Sequence, residues 1–156
     1  MYNYLLIIHN LFRWIVILMA AYALYSNFVG WKQGGKYSKK DRALNSAFVG
    51  TMDLQLILGF LLYFFYSPYT KTAFSNMAEA MHDKGLRFWA VEHIAGMFIA
   101  IVVAHIGAAL SKRAKTDAEK FKKAFIYFAI ALILVVLSLP YAAHGGERPL
   151  NPFDHV

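Results

Sequence analysis

The chain has 156 residues, 59% of them apolar and 17% aromatic, with no cysteine and a formal net charge of +7. That length holds one domain, and the absence of Cys excludes disulfides, thiolate metal sites and thiol nucleophiles. So apolar a composition, with so little charge outside two basic clusters, is unlike that of a soluble domain.

Four apolar segments follow in chain order, at about 4–29, 44–66, 88–110 and 124–143. Each reaches the ~20 residues that carry a helix across a ~30 Å hydrocarbon core. Lipid offers the backbone no hydrogen bonds, so continuous helices are the expected form. No Ala-x-Ala-like cleavage site follows the first segment, which leads straight into a basic loop. It is therefore expected to be a retained membrane helix rather than a removed signal peptide.

The loop GWKQGGKYSKKDRA carries Lys32, Lys36, Lys39, Lys40 and Arg42, and SKRAKTDAEKFKKA carries Lys112, Arg113, Lys115, Lys120, Lys122 and Lys123. Eleven of the sixteen Lys and Arg thus lie in two short loops on one side of a four-span chain. The positive-inside rule puts both loops in the cytoplasm, with both termini and the middle loop outside. This placement accounts for the basic balance without a nucleic-acid partner. The expected architecture is an all-α, up-down four-helix bundle over residues 1–143, integral to a bacterial inner membrane. The Gly- and Pro-rich tail 144–156 is expected to be extended on the outer side.

Local signals fill in the connections. Phe74, Met77, Ala78 and Met81 recur at helical spacing before Gly85, which predicts a short amphipathic helix on the outer surface that stops at the glycine. Thr116 and Glu119 form a capping-box pattern for the fourth helix, and Pro140 falls near its end, where a kink or stop is tolerated. Gly96, Ala100, Ala104 and Gly107 share nearly one stripe, as a close helix–helix contact requires. Gln55 and Gly59 suit interhelical contact in the same way.

Counting residues gives depth. At ~1.5 Å per residue His9 and His93 each lie ~8 Å below the outer ends of their helices, level with Glu92, and the fourth helix delivers His144 to the outer boundary. His105 is ~18 Å deeper than His93 and ~120° around the helix, which excludes it from the same site and leaves it a hydrogen-bonding or interfacial role. Arg13 follows His9 at i+4 on the same face. An unpaired charge at that depth costs ~2.5–3.5 kcal/mol, so Asp53 or Glu92 is expected to neutralise Arg13, with all three facing the interior.

Three readings of His9 and His93 remain open. Histidines, Arg and Asp between helices can hold the register of a bundle as a polar clasp. Two imidazoles from two helices can instead ligate haem b, with Gly96 and Ala100 clearing a slot and Phe12, Trp14, Phe88, Trp89 and Phe98 lining it. A mononuclear metal held by His9, His93, His144 and Glu92 has suitable ligand types but lacks an H-x-x-x-H spacing. No phosphate loop, nucleophile elbow or hydrolase triad is present, nor the internal repeat or broken helix of a small transporter.

The stretches LLIIHNLFRWIVIL, LQLILGFLLYF, RFWAVEHIAGMFIAIVVAHIG and KRAKTDAEKFKKAFIYFAIALILVVLSLPY together resemble small four-helix membrane proteins of Bacteroidetes labelled "cytochrome B". More distantly they are similar to the haem-binding four-helix units of haem A synthase and other membrane b-type cytochromes. The resemblance rests on His9 with Arg13 and Trp14, and on Glu92–His93 with Met97. It implies haem b and electron transfer, within partner subunits or a homo-oligomer in the bilayer. The second segment has no histidine, so one outer-leaflet haem is the most the chain would hold, with Arg13, Glu92 or His144 tuning the ligands or propionates. The other class of role is a non-catalytic accessory or assembly subunit whose buried polar groups only join helices.

Overall fold

A computed structural model describes residues 1–141, and among them every regular element is helical. The elements are α1 (Tyr2–Lys32), α2 (Lys39–Leu61), α3 (Pro68–Ser75), α4 (Met77–Ala80), α5 (Lys84–Arg87), α6 (His93–Arg113) and α7 (Asp117–Leu137). Two π-helical turns, Leu62–Tyr66 after α2 and Phe88–Glu92 before α6, extend those helices outward.

Three helical runs, Tyr2–Lys32, Lys39–Tyr66 and Lys84–Arg113, are long and apolar enough to cross a membrane. In α7 the charged residues Lys120, Lys122 and Lys123 fill the start, so the uncharged part of the described helix is 124–137. The expected fourth segment ran on to 143. The helix instead closes at Ser138, whose N–H donates to Leu134 O at 3.0 Å, ahead of Pro140. Proline has no N–H to continue the ladder and disfavours helical backbone in the residue before it.

The long helices pack as a ring, with α1 and α6 each lying against both α2 and α7. Their shared core draws Val16, Ala20 and Ala23 from α1, Phe48, Val49 and Met52 from α2, Ala100, Ile101 and Ala104 from α6, and Phe128, Ala131 and Val135 from α7. Phe48 and Phe128 meet edge-to-face at 4.8 Å in its centre, a geometry favoured by the ring quadrupoles. Small residues bring α6 and α7 together. A Cβ on Gly107 would overlap the Tyr127 Cβ, and one on Gly96 would overlap Ser138 Oγ. The stripe is therefore a packing contact, as expected. Gly96 in particular serves α7 and does not clear a slot beside His93.

The two basic loops lie at one end of the ring. The Lys122 ammonium lies 5.6 Å from the Trp31 ring and that of Lys120 lies 5.5 Å from Tyr37. Just inside this end Asn27 and Asn45 exchange side-chain amide bonds of 2.7 and 3.3 Å, and Asn45 also donates to Tyr37 Oη at 3.1 Å. Both asparagines are buried. Replacing Asn27 by Leu leaves the buried Asn45 Oδ1 without its donor, so thermal unfolding in detergent is expected to reveal a loss of about 1–3 kcal/mol. Converting Asn45 to Leu as well should recover part of that loss. If the double variant loses the sum of the single losses, the amides act independently.

Caps set the helix starts. Ser38 and Asp41 form a reciprocal capping box on α2, and Thr116 Oγ1 accepts from Glu119 N at 3.2 Å on α7. The outer connection departs from expectation. Asn76 breaks it into α3 and α4, and Asp83 caps a new turn that runs through Gly85 instead of stopping there. Asn and Asp side chains satisfy the free N–H groups of a helix start, and that outweighs the weak helix penalty of one glycine.

Candidate functional site: a cavity between His9 and His93

The diagonal helices α1 and α6 face each other across a cavity of about 110 Å³ toward the end of the ring opposite the basic loops. His9, Asn10 and Arg13 line it from α1, Gln55 and Gly59 from α2, Tyr63 and Trp89 from the π turns, and His93 and Met97 from α6. The sequence expectation that His9 and His93 belong together agrees with this placement.

Each histidine is held by a neighbouring helix. His93 begins α6 directly after a π turn, and its Nδ1 lies 2.8 Å from Ser138 O. A carbonyl can only accept, so Nδ1 carries the proton, and in the neutral ring Nε2 holds the lone pair. Metal-ligating histidines are commonly oriented in this way. Trp89 flanks the ring at 5.4 Å and Phe88 at 5.7 Å. On the other side the Gln55 amide nitrogen donates to His9 O at 2.9 Å and lies 3.3 Å from His9 Nε2. Gly59 makes room for this ring, since a Cβ there would sit 3.3 Å from His9 Cε1.

The polar floor is unusual. Asn10 is 4% exposed, and its Nδ2 is buried without a hydrogen-bond partner among the described residues; Gln55 Oε1 is in the same condition. Arg13, one turn from Asn10, is 7% exposed with its guanidinium 5.6 Å from the Trp14 ring. A buried amide N–H without a partner costs about 1–3 kcal/mol. Such a cost is tolerated where a ligand supplies the missing acceptor.

Other expectations fall differently. Glu92 turns away from the cavity and pairs with Arg87, Nε to Oε1 at 2.7 Å. Asp53 also points outward, to His105 Nε2 at 2.8 Å. Neither carboxylate neutralises Arg13, and both side chains are more than 40% exposed in the single chain. Arg87 and His105 sit nearer to these acids than Arg13 does, and axial depth alone cannot show that. Of the five aromatic residues expected around a cofactor only Trp89 lines the cavity, joined by Phe60, Tyr63 and Tyr2. Trp14 and Phe98 face outward. Among the described residues no group of three or more His, Cys, Asp or Glu could hold a metal ion. His144 and the tail 144–156 lie outside the described residues.

The π turns and Gln55 had no signal in the sequence as site elements. The turns pack on each other through Tyr63 Oη, which donates to Ala90 O at 2.6 Å, and π turns recur at functional sites. The chain matches no protein-family model, no curated protein and no solved structure.

Haem b can be tested against this donor set. Two imidazoles from diagonal helices are donors of the type that would hold a haem iron. The unpartnered Asn10 amide, beside Arg13, suits the carboxylates of such a group. The space is tighter. The cavity, about 110 Å³, is smaller than the roughly 300–1,000 Å³ of ordinary ligand sites, so the lining side chains, Gln55 beside His9 among them, would have to part to hold a macrocycle. The donor chemistry fits, with Gln55 as the group that must move.

Proposed function

We propose that the chain is a four-span protein of a bacterial inner membrane, both termini outside, acting as a b-type cytochrome-like redox module with one haem near the outer face. One observation carries this reading: His9 and His93, from diagonal helices, line one cavity whose floor offers the unpartnered Asn10 amide and Arg13. When bound, haem supplies single-electron transfer between partners. The chain's own residues hold and orient it. His93 is aimed by the Ser138 carbonyl, His9 is placed by Gly59 and Gln55, and Asn10 with Arg13 offers N–H donors to carboxylates. The deciding measurement is an absorption spectrum of the dithionite-reduced protein purified from haem-replete cells. A sharp α-band supports the reading, and a featureless spectrum removes it.

A second reading has its own support. Both histidines already bond neighbouring helices, His9 through Gln55 and His93 through Ser138. A non-catalytic accessory subunit would use them as a clasp and nothing more. It predicts no α-band and a loss of stability when either bond is removed.

The four-span topology has a separate test. The basic loops share one end, and α7 would be the fourth crossing. Reporters fused after Lys36 and Lys115 are expected to read cytoplasmic, and those after Asn76 and Asn151 external. The reverse pattern would overturn the placement of the cavity in the outer leaflet.

A further inference from the structure

Asp53 lies at the middle of the 28-residue run Lys39–Tyr66, about 20 Å from either end at 1.5 Å per residue. Its carboxylate meets His105 from α6 on the outside of the ring, where the side chains are 44% and 53% exposed. In a membrane this face meets hydrocarbon, with no water for the remaining polar atoms. Two such atoms remain. Asp53 Oδ2 and His105 Nδ1 have no partner among the described residues. The inference rests on the membrane-spanning reading proposed above.

We infer that the α2/α6 face pairs with the same face of a second copy of this chain, through a ring of two Asp53 carboxylates and two His105 imidazoliums at mid-membrane. The pair is self-complementary, and that selects the occupant. A two-fold axis along the membrane normal sets α2 of one copy against α6 of the other, since an isologous contact exchanges the two elements. Asp53 Oδ2 then accepts from His105 Nδ1 of the other copy, and the converse bond forms across the axis. Two anions and two cations leave no net charge, which removes the cost of isolated ionised groups in lipid. The surface beside the pair admits close approach. A Cβ on Gly50, one turn inward from Asp53, would touch nothing within 4 Å. Ala109, one turn inward from His105, is exposed. Small residues at such positions let helices come together where lipid gives no hydrophobic drive.

The absence of native cysteine gives a clean background for the test. Differently tagged chains carrying Gly50→Cys and Ala109→Cys are co-expressed and oxidised in native membranes. A mixed disulfide of twice the chain mass is expected, because the axis sets position 50 of one copy against 109 of the other. Pairing Gly50→Cys with Ile133→Cys, on the exposed face of α7, should give none. Adding Asp53→Leu and His105→Leu to both chains should cut the product about tenfold or more. The exchange Asp53→His with His105→Asp, which keeps the complementarity, should restore it and also controls for folding. Absence of the mixed disulfide, a yield equal to the Ile133 control, no loss in the Leu variant, or an adduct with a different protein would each overturn the dimer. Release of the wild-type chain from membranes by alkaline carbonate would instead overturn the membrane reading.

Discussion

If the chain holds haem as proposed, His93→Ala is expected to abolish the b-type spectrum of the reduced protein, and His9→Ala to do the same. Each removes one of the two imidazoles that would hold the iron. The consequences for the fold differ between the two. His93→Ala also leaves Ser138 O without its bond, whereas His9→Ala leaves Gln55 its bond to His9 O. His105→Leu should leave the spectrum unchanged, because His105 faces outward beside Asp53. Gln55→Ala separates the two readings of the site most sharply. If Gln55 must release His9 for the iron, its removal leaves haem content intact or raises it. If the bond is a clasp, its removal only lowers the melting temperature. Glu92→Gln is expected to have little effect on the spectrum, because that carboxylate pairs with Arg87 away from the cavity. A haem potential that moved with Glu92 would show that the side chain reaches the site in the loaded protein.

The second large effect lies where α6 meets α7. Gly96→Leu is expected to lower folded yield severely, since even a Cβ at that position overlaps Ser138 Oγ. Overpacking typically costs about 1–3 kcal/mol, and here the displaced element also carries the carbonyl that aims His93. Gly96→Ala is the milder probe. It should reduce stability, and haem content with it where the Ser138 backbone shifts its carbonyl from His93 Nδ1 rather than the hydroxyl alone rotating aside. Pairing Gly96→Ala with Ser138→Gly removes the opposing Cβ and Oγ and should restore both. The outcome is read by thermal unfolding in detergent and by haem per protein. Restored stability without restored haem would show that the Ser138 side chain acts on the site separately from its backbone.

Much of the fold was legible in the sequence. Runs of apolar residues near 20 in length can satisfy their backbones only as helices, so α1, α2 and α6 were visible, as was the stripe Gly96–Ala100–Ala104–Gly107. The gathering of eleven Lys and Arg in two loops placed those loops at one end. The rise per residue put His9 and His93 at a common depth, and one cavity holds both. The tertiary structure alone decided which polar group meets which. Arg13 was matched to Asp53 or Glu92 by depth, yet those acids take His105 and Arg87. It also decided that Gln55, two residues from Asp53, turns inward to His9 while Asp53 turns outward. The physical reason is that sequence spacing gives a residue's height along its own helix and its angle around it, but not how each helix is rotated toward its neighbours. A rotation of one helix by about 100°, a single residue's step, exchanges the groups that face the cavity for those that face outward. Only packing sets that rotation, through contacts as specific as Gly96 on Ser138 and Phe48 on Phe128.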